Sequence, residues 1–151
     1  WMAGGVDNNA DEQTRMTAAY HQFIASAKAV QLAHEIDKEN KVGMMYGGMF
    51  SYPNSCDPED MQANTDFMHQ MLFYCDVQCR GYYPSYKLKE FERKGIVLPI
   101  EDGDSDILKK GKVDFLSYSY YFTLVCGKNT EAVAIHFFLK HHGDGRLTLK
   151  V

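Results

Sequence analysis

The sequence has little of what marks a nucleic-acid binder, a membrane protein or a disulfide scaffold. Its 151 residues carry 16 Lys and Arg against 20 Asp and Glu, a formal net charge of −4 with a pI near 5.8. A basic face is the footprint of a protein that grips phosphates; none is visible, so no nucleic-acid partner is expected. No apolar run approaches the ~20 residues of a bilayer-spanning helix, so no membrane is expected. The opening "WMAGGVDNNADEQ" has neither the basic start nor the apolar stretch of a secretion signal. Four cysteines, Cys56, Cys75, Cys79 and Cys126, form neither a CxxC metal pair nor a dense disulfide framework. They read as buried reduced thiols, which places the chain in the cytoplasm. Neither an internal repeat nor a low-complexity segment occurs.

What is present is ordinary for a globular domain: 45% hydrophobic and 24% charged residues, on a chain long enough for one real core. Met16, Tyr20, Phe23, Ile24, Ala27 and Val30 recur at helical spacing, predicting one amphipathic helix from Thr14 to Asp37. "KVGMMYGGMF", 41–50, is nearly all apolar and reads as a strand buried on both faces, as in a parallel sheet. Gly47 and Gly48 weaken its end and let something approach the backbone closely. Asp57 then caps a helix, with Pro58 at its first position, Glu59 and Asp60 on the positive end of the dipole, and Met61, Thr65, Met68, Leu72 and Cys75 marking one face. After the stiff aromatic corner "RGYYP", Ser85 to Lys94 forms a short helix stopped by Gly95. A second strand is expected in "KVDFLSYSYYF", 112–122. Buried strands joined by long helical crossovers pair in parallel, so the class is α/β. The tail "EAVAIHFFLKHHGDGRLTLKV" reads as two strands around a turn at His142 to Gly145.

Sites are scarce. His141 and His142 are adjacent and point to opposite faces of a strand; with His136 they lack a clear third ligand and read as solvated turn histidines, not a metal site. "DGDSDILKKGKV" opens like a calcium loop but has Ile107 and Val113 where the glycine and the glutamate belong, so it reads as a solvated acidic turn capping a short helix. None of the eight glutamates looks buried beside a partner that tunes its pKa. The tyrosines at 82, 83, 118, 120 and 121 read first as packing groups with satisfied hydroxyls.

The segments "AAYHQFIASAKAVQLAHEID" (18–37), "KVGMMYGGMFSYPNSCDPEDMQA" (41–63), "DVQCRGYYPSYKLKEFERKG" (76–95) and "GKVDFLSYSYY" (111–121) come in one order with consistent gaps. Together they resemble the middle of a glycoside hydrolase family 1 enzyme of the bacterial 6-phospho-β-glucosidase branch, over about residues 2–122. "SYPNSCDPED" and "RGYYP" are specific to that branch. The resemblance implies part of an eight-stranded (β/α) TIM barrel: the helix after strand four, strand five with its helices, and strand six, as a central portion 1–122. Residues 123–151 would be a tail outside the resemblance, read as a β-hairpin.

The family's chemistry, as the resemblance implies it, is retaining hydrolysis of a phosphorylated β-glucoside by two glutamates about 5–5.5 Å apart. No cofactor is implied. The acid–base glutamate belongs to an Asn-Glu motif and the nucleophile to a Glu-Asn-Gly motif, and neither occurs in these residues. "WMAGGV" resembles a loop downstream of the first motif; aligning Trp1-Met2 with the motif itself instead puts Val6 at the acid position. The chain alone is therefore expected to be inactive. The family's phosphate-binding Ser, Lys and Tyr are also missing. "SYY" matches the end of strand six, where the second tyrosine, Tyr121, orients the nucleophile; Ser119 stands where distant members have asparagine. Alternation along the strand turns Tyr120 toward the helical layer. A barrel with so few strands is expected to self-associate or bind a complementary chain. The other reading is a non-catalytic interaction or binding module made from a barrel fragment.

Overall fold

The computed structural model describes residues 5–128, 130–135, 138–141 and 147–150, with side chains over 5–120 and 123–128. The order is α1 (Glu12–Ile36), β1 (Gly43–Pro53), α2 (Pro58–Arg80), α3 (Ser85–Lys94), α4 (Asp104–Lys110), β2 (Phe115–Gly127), β3 (Thr130–Ile135), β4 (Phe138–His141) and β5 (Leu147–Lys150). The first three strands form one sheet in the order β1-β2-β3. Asp114 N–H donates to Val42 O at 2.7 Å, and Asn54 N–H donates to Cys126 O at 2.9 Å. The offset between partners, 72 residues at Val42 and Asp114, is the same at Asn54 and Cys126. A constant offset means parallel pairing, which the helical crossover between β1 and β2 requires. β4 and β5 pair antiparallel, from Phe138 opposite Lys150 to His141 opposite Leu147.

The chain divides into two units, Trp1–Met45 with Phe73–Ser117, and Tyr46–Leu72 with Tyr118–Val151. In the first, α1 starts where the Asp11 carboxylate accepts the Thr14 N–H at 2.7 Å, freeing the apolar stripe behind it to face inward. Met16, Tyr20, Phe23, Ile24, Ala27 and Val30 are all buried as the periodicity predicts, with Ala19 beside them. They pack against Phe73 and Val77 of α2, Phe91 of α3 and Leu108 of α4. Phe73 is 2% exposed, its ring edge-on to Phe23 at 5.5 Å and to Phe91 at 6.2 Å. Each such ring contributes about 1.5–3 kcal/mol on burial.

The aromatic corner is a packing device. Gly81 has φ 74°, and a Cβ there would lie 2.7 Å from Leu108 O, so only glycine lets α4 sit against the turn. Tyr83 joins the core rings of Phe23 and Phe73, and Tyr82 is exposed. Pro84, extended, takes the N-cap position of α3, and Gly95 ends that helix in the left-handed conformation, its N–H bonded to Glu92 O. The Tyr86 hydroxyl donates to Asp76 at 2.7 Å, tying α3 to α2.

Several expectations need correction. Lys87 is buried between the rings of Phe73 and Phe91, its ammonium 5.0 and 5.3 Å from their centroids. It donates to Glu90, which also accepts from Lys94, which in turn reaches Glu12 of α1. Glu90 is thus a half-buried glutamate with tuning partners. Burial pushes its carboxyl up, and the hydrogen bonds from Lys94 and Lys87 outweigh that and hold it below the usual range. The acidic turn is solvated at Asp102 and Asp106, but Asp104 is buried, 7% exposed. Its carboxylate accepts the Tyr20 hydroxyl and, at 2.9 Å, the Glu101 N–H. Those donors hold Asp104 low, Tyr20 most strongly, while burial and Asp104 raise the Tyr20 phenol to about 12.

The strands run Gly43–Pro53 and Phe115–Gly127, not 41–50 and 112–122, and they are not buried on both faces. Met45 is 63% exposed, and Phe115 and Leu116 are exposed too. An apolar run shows that both faces tolerate burial, not that both are covered in these residues. The helix face also differs: Cys75 is buried and Met68 and Leu72 are half-buried, but Met61 and Thr65 face solvent. Of the four free cysteines, Cys75 and Cys126 are buried as expected, whereas Cys56 is exposed. The tail's first strand is two elements, β3 and β4. The expected turn at 142–145, His136 and His142 lie outside the described residues.

Candidate functional site

The second unit holds the ends of β1 and β2, where the sequence places Ser119, Tyr120 and Tyr121. Gly48 is what brings the strands together there. A Cβ on it would lie 2.9 Å from Ser119 O and 3.4 Å from Tyr120 Cα, so the predicted close approach occurs at Gly48, while Gly47 meets nothing within 4 Å. Ser119 is half-buried against this glycine. Tyr120 is 54% exposed, its ring stacked on Phe50 of β1 at 6.2 Å and 23°, and its hydroxyl is bonded to the Thr123 hydroxyl. The local hydroxyl partner is as expected, but a ring this exposed is not covered by a helical layer. The Tyr121 backbone lies in β2, and its side chain is outside the described residues.

Phe50 is the residue the sequence reading passed over. Tyr46, at 5.9 Å, and Tyr118, at 6.1 Å, both meet its ring edge-on, so four aromatic rings gather at the strand ends. The signal was its place two residues beyond the glycine pair, on the same face as Gly48.

Beyond β1, the "SYPNSCDPED" loop folds back onto the first turn of α2. The Asp57 carboxylate accepts the Glu59 N–H at 2.9 Å, as a cap should. Ser51 is buried, its hydroxyl 2.6 Å from Asn64 of α2. The Asp60 carboxylate accepts the Ser55 hydroxyl at 2.7 Å and the Lys128 N–H at 2.9 Å. These two donors, Ser55 first, hold Asp60 below the ordinary carboxylate range. Glu59 pairs with the Lys128 ammonium, and Asp66 accepts from Gln62. Asp57, Glu59, Asp60 and Asp66 are therefore each occupied in capping or bracing. No cluster of His, Cys, Asp or Glu among the described residues could hold a metal ion. No helix among them is long and apolar enough to cross a membrane. The site can position a phenol and offer ring faces.

The chain is 43% identical over 126 residues to an aryl-phospho-β-D-glucosidase (BglA) of Bacillus subtilis, covering 82% of this chain and 26% of that protein. It is 46% identical over 110 residues to a 6-phospho-β-glucosidase (AscB) of Escherichia coli, covering 73% and 23%. It therefore spans about a quarter of the length of these relatives. A family 1 β-glucosidase from Thermotoga maritima superposes with a TM-score of 0.61 at 26% identity, over 89% of this chain and 31% of that one. Its neighbours in fold are TIM-barrel enzymes, of which this chain is a partial α/β segment. The sequence profile of glycosyl hydrolase family 1 matches residues 2–142, and the chain belongs to that family.

Proposed function

We propose that these residues are the central segment of a retaining, cytoplasmic 6-phospho-β-glucosidase. The observation that carries this is the ordered match of "SYPNSCDPED", "RGYYP" and "SYY" to the phospho-glucosidase branch, together with relatives at 43% and 46% identity that are named for phosphorylated β-glucosides. In that reading Tyr121 is a positioning residue. Its phenol donates a hydrogen bond to the nucleophilic glutamate supplied by another part of the barrel, favouring the ionised carboxylate and fixing its direction. Ser119 supports the same strand end. The 151 residues by themselves lack both glutamate motifs and are inactive, since a lone tyrosine replaces neither a general acid nor a nucleophile.

The test is a chimaera in which residues 2–122 replace the matching segment of a full-length relative, assayed with a chromogenic 6-phospho-β-glucoside. Turnover should persist in the chimaera, fall about 10²–10³-fold on Tyr121→Phe, and change little on Tyr120→Phe. The 151-residue chain should not exceed a buffer blank. A chimaera that folds but does not cleave the phosphorylated glucoside overturns the reading.

The exposed Met45, Phe115 and Leu116 favour a second reading, an association module that pairs with itself or with a complementary chain. Light scattering showing a monomer at every concentration refutes it.

A further inference from the structure

The β2–β3 hairpin departs from the parallel ring of the family. A ring strand following β2 would pair with it in parallel after a helical crossover. Here the chain reverses at once: Gly127 lies opposite Thr130, and β3 returns antiparallel with Val125 opposite Val133, Leu124 opposite Ala134 and Thr123 opposite Ile135. The register slips between Val125 and Gly127, an irregularity of the sort that increases local twist. The turn is also fastened. The Lys128 N–H donates to Asp60 Oδ1 at 2.9 Å, its ammonium pairs with Glu59, and the Cys126 thiol reaches Ala63 O at 3.6 Å. Three contacts thus tie the hairpin to the first turns of α2, within one unit.

We propose that β3 is an intramolecular edge cap. It occupies the outward backbone donors and acceptors of β2 over Thr123–Gly127, which would otherwise template a strand from a second copy of this chain, and Asp60 holds the cap shut through the Lys128 amide. An open edge invites pairing with a like strand, and β2 carries the exposed, β-favouring Tyr118 and Tyr120 just ahead of the capped stretch. The cap does not depend on the proposed glycosidase reading or on association through exposed strand faces: a monomeric unmodified chain would end the latter and leave the cap standing.

The experiment compares the 151-residue chain with Val133→Pro, Ala134→Pro and Asp60→Asn. Neighbouring ladder residues point their N–H groups in opposite directions, so one of the two proline variants removes a bond to β2. Amide exchange over Thr123–Gly127 is read by mass spectrometry, apparent mass by light scattering across a concentration series, and helix content by circular dichroism. The unmodified chain should protect Thr123–Gly127. At least one proline variant should exchange there about tenfold faster and gain mass at concentrations where the unmodified chain does not, and Asp60→Asn should do both to a smaller degree. Unprotected amides in the unmodified chain overturn the proposal. So does a proline variant that loses protection without gaining mass. If the proline variants lose helix content, Asp60→Asn decides alone: faster exchange with rising mass supports the cap, and no change in either refutes it.

Discussion

Replacing Phe73 by alanine removes the α2 ring on which Phe23 of α1 and Phe91 of α3 converge. Phe73 is 2% exposed and touches the rings of Phe23, Tyr74, Tyr83 and Phe91, with the Lys87 ammonium 5.0 Å from its centre. Truncating a buried phenylalanine costs about 3–5 kcal/mol through lost burial and the cavity left behind. The ammonium over its face adds about 0.5–2 kcal/mol, because this lysine is desolvated. Lys87 keeps Glu90 and Phe91 as partners, so only part of that second contribution is lost. Against a total of about 5–15 kcal/mol for a domain, the loss is large. With a urea slope of about 2 kcal/mol/M, the midpoint should fall by about 2 M. Far-UV circular dichroism of urea unfolding reads this directly from the helices. Phe73→Leu combined with Lys87→Met in a double-mutant cycle should return a coupling of about 0.5–2 kcal/mol. A Phe73→Ala loss below about 1 kcal/mol, well under the cavity range, would refute the reasoning.

Acid should loosen the α1–α4 contact: Asp104 is held low by Tyr20 and the Glu101 N–H, so its contribution is complete above the unfolded carboxylate value, about 3.9, and fades as pH falls through the lower folded one. Thermal melts of Tyr20→Phe should therefore show lower stability at neutral pH and a smaller drop on acidification below about pH 4 than the unmodified chain. Gly81→Ala should destabilise by more than Gly95→Ala, since both have positive φ but only Gly81 would also press its Cβ on Leu108 O; about 1–2 kcal/mol is expected at Gly95 from conformation alone, and equal losses in urea would contradict the close packing. Iodoacetamide at mild alkaline pH should label Cys56 first, because it is exposed while burial raises the Cys75 thiol to about 11; peptide mapping that finds Cys75 modified first would show the α2 interface open.

How much was legible followed from how local the cause was. The α1 stripe, the Asp57 cap and the Gly95 stop are set by residues within a few positions of one another, and each stands where periodicity and capping put it. Asp104 was misread because its partner, Tyr20, is 84 residues away, and a carboxylate among polar neighbours gives no sign of a distant phenol. The α2 face failed at Met61 and Thr65 because that helix begins against Ser51 through Asn64 rather than through its apolar stripe. Strand exposure failed for another reason: an apolar run records what a strand can bury, whichever chain segments provide the cover. The site was legible as "SYY", but Phe50 and Asp60 gain meaning only when β1, β2 and the α2 first turn are brought together.

The constant 72-residue offset between β1 and β2 also sets a clock. Closing a loop of that length costs about 4 kcal/mol in chain entropy, so the helices, whose own backbone bonds span four residues, have the earlier start. On the ribosome, at about 5–20 residues per second, β1 emerges about 4–14 s before its parallel neighbour exists. Through that interval Met44, Met45 and Tyr46 belong to an unpaired strand on a nascent chain. This stretch is where a chaperone would have most to shield.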